Sequence, residues 1–328
     1  MSRRRIARTL LKYSFGALLA AAAVLAHAQN SADAVEWLRK IYQATHNLSY
    51  AGTFVYQQGE HSETSRITRL TGANGNIEKL EALDGEPREI LRTNDAVRCY
   101  FPESQTVKID RRFDRRGFPV LLQGEISGLT ENYAVALGDN ERIAGYRCQV
   151  VVLTPKDNLR YGYRLWADAD SGMLLKALTF DVRGHTVEQF TFTQLTIGKV
   201  TPDEVKPQRT TGTWHIEDAE VAPANLEREG WSLESVPPGF RKVVEVRRTL
   251  HNSRTVEQVV YSDGLAAVSV FIEPVTNQDK PVRTGLASLG ATNIYTREVA
   301  NHLVTVVGEA PAASVQRIAE TVNYRQPQ

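Results

Sequence analysis

The stretch Trp166–Asp181 reads WADADSGMLLKALTFD, and its front half resembles the start of a calcium loop. An EF-hand loop needs oxygen ligands at alternate positions, Gly at position 6 and a bidentate Glu at position 12. With Asp168 at the first position, Asp170 falls at the third. Gly172 then comes one place early, and the twelfth position is Thr179. The flanks have the period of strands. Upstream, RYGYRLW sets Tyr161, Tyr163 and Leu165 on one face and Arg160, Arg164 and Trp166 on the other; downstream, Leu174, Leu178 and Phe180 share a face. Asp, Ser and Gly between two such runs spell a hairpin turn, with Gly172 at positive φ.

The same period governs most of the chain. A helix comes first: Asp33 and Glu36 have capping-box spacing, Ala34, Leu38, Ile41 and Tyr42 form an apolar stripe, and His46-Asn47 ends it. From Tyr50 the period is two, through runs such as YAGTFVYQ, RITRL, RCQVVVLT and VEQFTFTQL, joined by turn sequences such as Asp84-Gly85 and Arg183-Gly184. About ten strands in one antiparallel meander exceed what stays flat, so the sheet is expected to curl. Between Lys108 and Arg142 the pattern breaks, and a loop with one or two short helices is expected there. The run Gln149–Leu153 is apolar on both faces and fits a wall buried on both sides. The fold class read here is α+β, mostly β: an open antiparallel half-barrel with helices covering its open side, followed by a small α+β domain.

The chain has 328 residues, room for two ordinary domains, and 42% hydrophobic with 23% charged residues places it among globular proteins. Residues 1–28 read as a signal peptide: Arg3, Arg4, Arg5, Arg8 and Lys12, then the short apolar run Phe15–Ala26, then Ala26-His27-Ala28 as a cleavage site. Cleavage after Ala28 removes five basic and no acidic residues, so the formal charge goes from +1 to −4. That balance offers no electrostatic footprint for nucleic acid. An exported, periplasmic protein is expected. Residues 29–198 form the large domain, 199–221 a polar linker and 222–328 the small domain, which closes with a helix over Ala312–Tyr324.

P-loop, G-x-S-x-G, G-x-G-x-x-G and H-E-x-x-H signatures are absent, and the histidines have no metal-ligand spacing. The reading is of a non-enzyme without cofactor or metal. Cys99 and Cys148 are either a disulfide of an oxidising compartment or two free thiols. Arg111, Arg112, Arg115 and Arg116, in RRFDRR, are a solvated loop or a candidate partner- or anion-binding edge. Phe54, Tyr56, Phe180, Phe190 and Phe192 are either core or the lining of an apolar ligand pocket.

Three stretches carry a family resemblance: Leu48–Tyr56 (LSYAGTFVY), Tyr161–Gly172 (YGYRLWADADSG) and Tyr261–Glu273 (YSDGLAAVSVFIE). With Val236–Phe240 (VPPGF), their order resembles the RseB/MucB family over nearly all the mature chain. The resemblance implies a large domain similar to the lipoprotein carriers LolA and LolB. It implies a small domain that, with the inter-domain region, binds the periplasmic part of a membrane-spanning anti-sigma factor of the RseA/MucA type. Binding shields that partner from proteolysis and so represses an envelope-stress sigma factor; a lipid or lipopolysaccharide-type ligand in the large domain releases it. A LolA-like carrier of lipid or lipoprotein is the alternative. Open sheet edges also make a homo-oligomer an expectation.

Overall fold

The computed structural model describes residues 30–73, 75–111, 128–208, 213–218, 220–249, 254–275 and 284–326. The signal segment and Arg112, Arg115 and Arg116 lie outside the described residues.

The Asp168–Gly172 turn sets the geometry of the large domain. Strand β9 (Gly162–Asp168) pairs antiparallel with β10 (Leu174–Phe180). The Asp168 carboxylate accepts the Ser171 amide at 2.8 Å and the Ser171 hydroxyl at 2.6 Å, and the Gly172 amide donates to the Asp168 carbonyl at 2.9 Å. Gly172 has φ of 77°. Asp168 is therefore committed to its own turn.

Helix α1 (30–47) docks on that turn: the Lys40 ammonium donates to the Ala169 carbonyl at 2.6 Å. The helix is already formed at residue 30, so Asp33 lies inside it and is not its cap; the Asn30 side chain instead accepts the Leu137 amide at 2.9 Å. Its stripe Ala34, Leu38 and Ile41 is buried against one face of a twelve-stranded sheet.

That sheet contains β1 (Tyr50–Gln58), β2 (His61–Gly72), β3 (Gly75–Ala82), β4 (Glu89–Arg92), β5 (Val97–Phe101), β6 (Thr106–Asp110), β7 (Tyr133–Ile143), β8 (Tyr146–Pro155), β9, β10, β11 (Thr186–Ile197) and β12 (His215–Asp218). Its order is β12-β6-β5-β4-β3-β2-β1-β11-β10-β9-β8-β7. The sheet curls: Tyr146, at the start of β8, donates its hydroxyl to the Leu195 carbonyl on β11 at 3.0 Å, across two intervening strands. At β8 both faces are buried, with Val151 and Leu153 in the core under α1 and Val150 in a second cluster with Cys148, Trp166 and Leu175.

Between Lys108 and Arg142 the described residues hold one short helix, α2 (Leu129–Asn132), and then the eleven-residue edge strand β7, where the sequence pattern predicts more helix or loop. A register shift between Leu137 and Asn140 breaks the alternation there, which hides the strand from a period-two reading.

The segment 199–221 is not a free tether. Val205 is buried, the Gln208 amide donates to Glu89 at 3.0 Å, and β12 adds to the large sheet parallel to β6. Directly after it, β13 (Glu220–Pro223) joins the second sheet beside β15 (Arg241–Thr249). The chain thus passes from one sheet to the other between Asp218 and Glu220.

Among the described residues the main sheet of the small domain has seven strands in the order β13-β15-β16-β17-β20-β19-β18, adding β16 (Thr255–Ser262), β17 (Ala267–Pro274), β18 (Gly285–Leu289), β19 (Thr292–Val299) and β20 (His302–Gly308). Helix α3 (Ala312–Glu320) buries Val315, Ile318 and Ala319 against Val270, Ile272, Val304 and Val306. It is shorter than the sequence predicts: Val322–Tyr324 form β21, paired with β14 (Trp231–Leu233).

Candidate functional site: the aromatic interior and the domain interface

The alternation of β1 and β11 aims Phe54, Phe190 and Phe192 at the face covered by α1. Phe54 packs edge to face on Phe192 at 5.7 Å and on Phe190 at 6.3 Å, and all three rings are buried. Tyr56, directly opposite Phe190, is half-buried at the end of this row. Phe180 does not join them. A register shift between Leu174 and Lys176 changes the face of the later β10 residues; Phe180 pairs with Gly162 on the face opposite Tyr163 and Ala177.

The same inner face carries a charged row. Tyr50, Arg69, Glu78 and Arg92 are successive cross-strand partners. Glu78 receives Arg69 at 3.0 Å and also Arg92, so two cations share one buried carboxylate. The Nε atoms of both arginines are buried and lack a partner among the described residues. Among the described residues the aromatic row thus lies beside two guanidinium groups on one carboxylate, an arrangement that suits an amphiphile with an anionic group.

A cavity of about 430 Å3 lies on the other face of the sheet. Thr53, Arg66, Thr68, Lys79 and Glu81 line its floor, and Asp203, Glu204 and Gln208 close it from the inter-domain segment. None of the aromatic candidates lines it. Lys79 is buried there, with its ammonium on the Lys206 carbonyl at 3.3 Å and 3.5 Å from Glu81.

Arg111 is spent on Asp218 of β12, donating from Nε at 2.9 Å and Nη2 at 2.7 Å. It ties the end of β6 to the domain junction. Cys99 and Cys148 are both free thiols, the second of the two alternatives left open by the sequence. They lie on β5 and β8, which seven strands separate within the sheet. Burial pushes the Cys148 thiol up to about 11 and raises Cys99 as well, so both favour the unreactive thiol form.

The domain interface is the feature that sequence reasoning missed. Three consecutive residues before β9 face the small domain. The Leu159 carbonyl accepts the Ser314 hydroxyl, and the Tyr161 hydroxyl accepts from the Asn293 side chain at 3.0 Å. Arg160 between them donates to Asp263 at 2.9 Å, to the Pro238 carbonyl at 2.6 Å and to Asp157 at 3.0 Å. The Arg160 and Asp263 side chains are both 0% exposed. The guanidinium stands over the Tyr133 ring at 5.5 Å and the Phe240 ring at 5.7 Å. Burial pulls the Arg160 pKa down, but the Asp157 bond and the Asp263 charge outweigh it and leave it raised. Asp263 is equally committed: it accepts the Tyr133 hydroxyl at 3.2 Å and the Leu265 and Ala266 amides at 3.0 and 2.9 Å. Leu265 and Ala291 of the small domain are buried within the large domain's core cluster.

Nearby, Glu188 accepts the Tyr56 hydroxyl at 2.6 Å. Burial holds the Glu188 carboxyl above the usual carboxylate range, the Tyr56 bond opposes this, and Glu309 of the small domain adds like charge.

Residues 33–220 match the MucB/RseB N-terminal domain and residues 225–323 the MucB/RseB C-terminal domain. The chain belongs to the MucB/RseB family. It is 32% identical over 304 residues to the sigma factor AlgU regulatory protein MucB of Pseudomonas aeruginosa, covering 90% of this chain and 92% of that protein. It is 26% identical over 294 residues to the sigma-E factor regulatory protein RseB of Escherichia coli K12, covering 88% and 89%. Among solved structures it resembles MucB in complex with MucA(peri), with a TM-score of 0.68, 27% identity and coverage of 89% of this chain and 99% of that one. Crystalline MucB matches with a TM-score of 0.67 at 27% identity, over 90% and 99% of the two chains. The family is matched by both domains in the same order along the chain.

Proposed function

We propose that this protein is a periplasmic regulator that binds the periplasmic region of a membrane-spanning anti-sigma factor, shields it from proteolysis and so represses an envelope-stress sigma factor. The observation that carries the reading is the match over both domains to proteins named as sigma-factor regulators, one of them solved with its MucA partner. The small domain and the junction supply the partner surface. The other half of the proposal is release by a lipid or lipopolysaccharide-type ligand in the large domain, and the inner face of that domain supports it. Phe54, Tyr56, Phe190 and Phe192 take the apolar part of a lipid or lipopolysaccharide-type molecule, and the Arg69–Glu78–Arg92 row takes its anionic part. Arg111 stands at the junction edge, and with Arg112, Arg115 and Arg116 of the same run it is the further contact proposed for partner or ligand. Export follows from the basic and apolar N-terminal segment, with cleavage after Ala28.

The carrier alternative makes a different demand: it needs transfer of cargo to an acceptor, and it assigns no task to the second domain with its seven-stranded sheet. A cleavage assay tests the regulator. The mature chain is mixed with the host anti-sigma factor's periplasmic segment and the cognate membrane protease. The regulator reading expects the initial cut to slow as the chain is titrated to saturation; an unchanged cleavage rate at saturation rejects it.

A further inference from the structure

Two domains in one chain are free to move by default unless a large or apolar interface holds them. Here the junction is held by a fully buried ion pair, and each partner of that pair is claimed by both domains. Arg160 leaves the large domain to reach Asp263 and the Pro238 carbonyl, and Asp263 reaches back to Arg160 and the Tyr133 hydroxyl. A desolvated pair of this kind is tolerated only while its other bonds are in place. It therefore has two states, complete and dry or opened and hydrated, with little stable ground between.

We propose that the Arg160–Asp263 pair is the lock through which the contents of the large domain set partner affinity, a reading that rests on the ligand-gated regulator above. Tyr133 is the link. Its ring belongs to the same core as α1, Phe54 and Phe192, and it lies 6.3 Å from the Tyr163 ring. Its hydroxyl is on Asp263, and its face is under the Arg160 guanidinium. An occupant of the interior that moves the Tyr133 ring removes one hydrogen bond from Asp263 and one aromatic face from Arg160 together. The proposal assigns the locked arrangement to the partner-binding state, with release as the ligand's effect. The ligand then favours the open state, and linkage makes partner affinity fall by the ligand's own preference for that state. Arg160 is a positioning residue: it touches neither ligand nor partner and acts through the domain arrangement.

The test uses the mature full chain in three forms: wild type, Arg160→Met and Tyr133→Phe. Arg160→Met keeps an unbranched stem and removes the charge. Tyr133→Phe keeps the ring in the core and removes only the hydroxyl on Asp263, so it tests the lock even where Arg160→Met misfolds. Binding of the anti-sigma periplasmic segment is measured with and without rough-type lipopolysaccharide as the probe. In wild type the probe is expected to weaken binding roughly tenfold to hundredfold. Arg160→Met is expected to bind at the weakened affinity without the probe, and the probe to change it no further. Tyr133→Phe is expected to fall between, with a smaller response to the probe. If both variants bind and respond as wild type does, the lock is refuted. If wild type itself ignores the probe, the ligand-gated reading fails separately. The lock then stands only if Arg160→Met weakens partner binding and splits one calorimetric unfolding transition into two, and it falls otherwise.

Discussion

Gly172→Ala tests how the Asp168–Gly172 turn organises the large domain. At φ of 77° an added Cβ meets the left-handed penalty, about 1–2 kcal/mol. It also meets α1: the Lys40 Cγ lies 2.6 Å from the ideal Cβ and the Lys40 carbonyl oxygen 2.9 Å away. The side chain can swing aside, but the carbonyl moves only with the helix, and forced repacking of this kind costs about 1–3 kcal/mol. The total loss is then roughly 2–5 kcal/mol. Gly184→Ala is the control. Its φ is 82°, also in a hairpin turn, and no atom lies within 4 Å of the added Cβ. It is expected to lose only the backbone part, about 1–2 kcal/mol. Urea midpoints for both variants, followed by far-ultraviolet circular dichroism and tryptophan fluorescence, give the two losses. Lys40→Ala added to Gly172→Ala leaves most of the penalty, because the carbonyl remains. Equal losses in the two glycine variants would refute the claim that this turn is a docking surface for α1.

Other expectations follow from particular contacts. Leu38→Ala empties a fully buried site between α1 and the sheet and is expected to cost about 2–5 kcal/mol in urea denaturation, whereas a loss under about 1 kcal/mol would mean the helix is loosely seated. The raised Glu188 carboxyl binds a proton more tightly folded than unfolded, so its contribution to stability is fully present below about pH 4.3 and is lost as pH rises through the higher folded value. Urea midpoints from pH 4 to 7 are expected to show a shallower decline for Glu188→Gln than for wild type; identical slopes would count against the burial argument. Unreduced mature protein is expected to yield two thiols when denatured, while native Cys148 reacts slowly with a thiol reagent; fewer than two thiols would restore the disulfide.

Much of the fold is legible in the sequence because the sheet's alternation is regular where its faces differ. Tyr50, Phe54 and Ile67 face the interior as period two requires, and the α1 stripe at Ala34, Leu38 and Ile41 is buried as helical spacing requires. The losses occur where the register shifts. The β10 irregularity before Lys176 turns Phe180 away from the aromatic row, and the one after Leu137 conceals β7. Strands β12 and β13 are hidden for another reason: four-residue strands of mixed composition carry too little pattern, and the partner of β12, strand β6, lies far away in sequence. The lock is the least legible feature. Arg160 and Asp263 are 103 residues apart, and each sits in a segment that reads alone as a polar turn. A weak signal is present, since Arg160 stands just before the apolar-aromatic run that opens with Tyr161.

The central claim is tested most directly by calorimetric binding of residues 29–328 to the periplasmic segment of the host's own anti-sigma factor, with and without a lipopolysaccharide fragment. Saturable one-to-one binding that weakens when the fragment is present is the predicted result. Absence of binding in both conditions would contradict the claim and would leave the family match as evidence of fold alone.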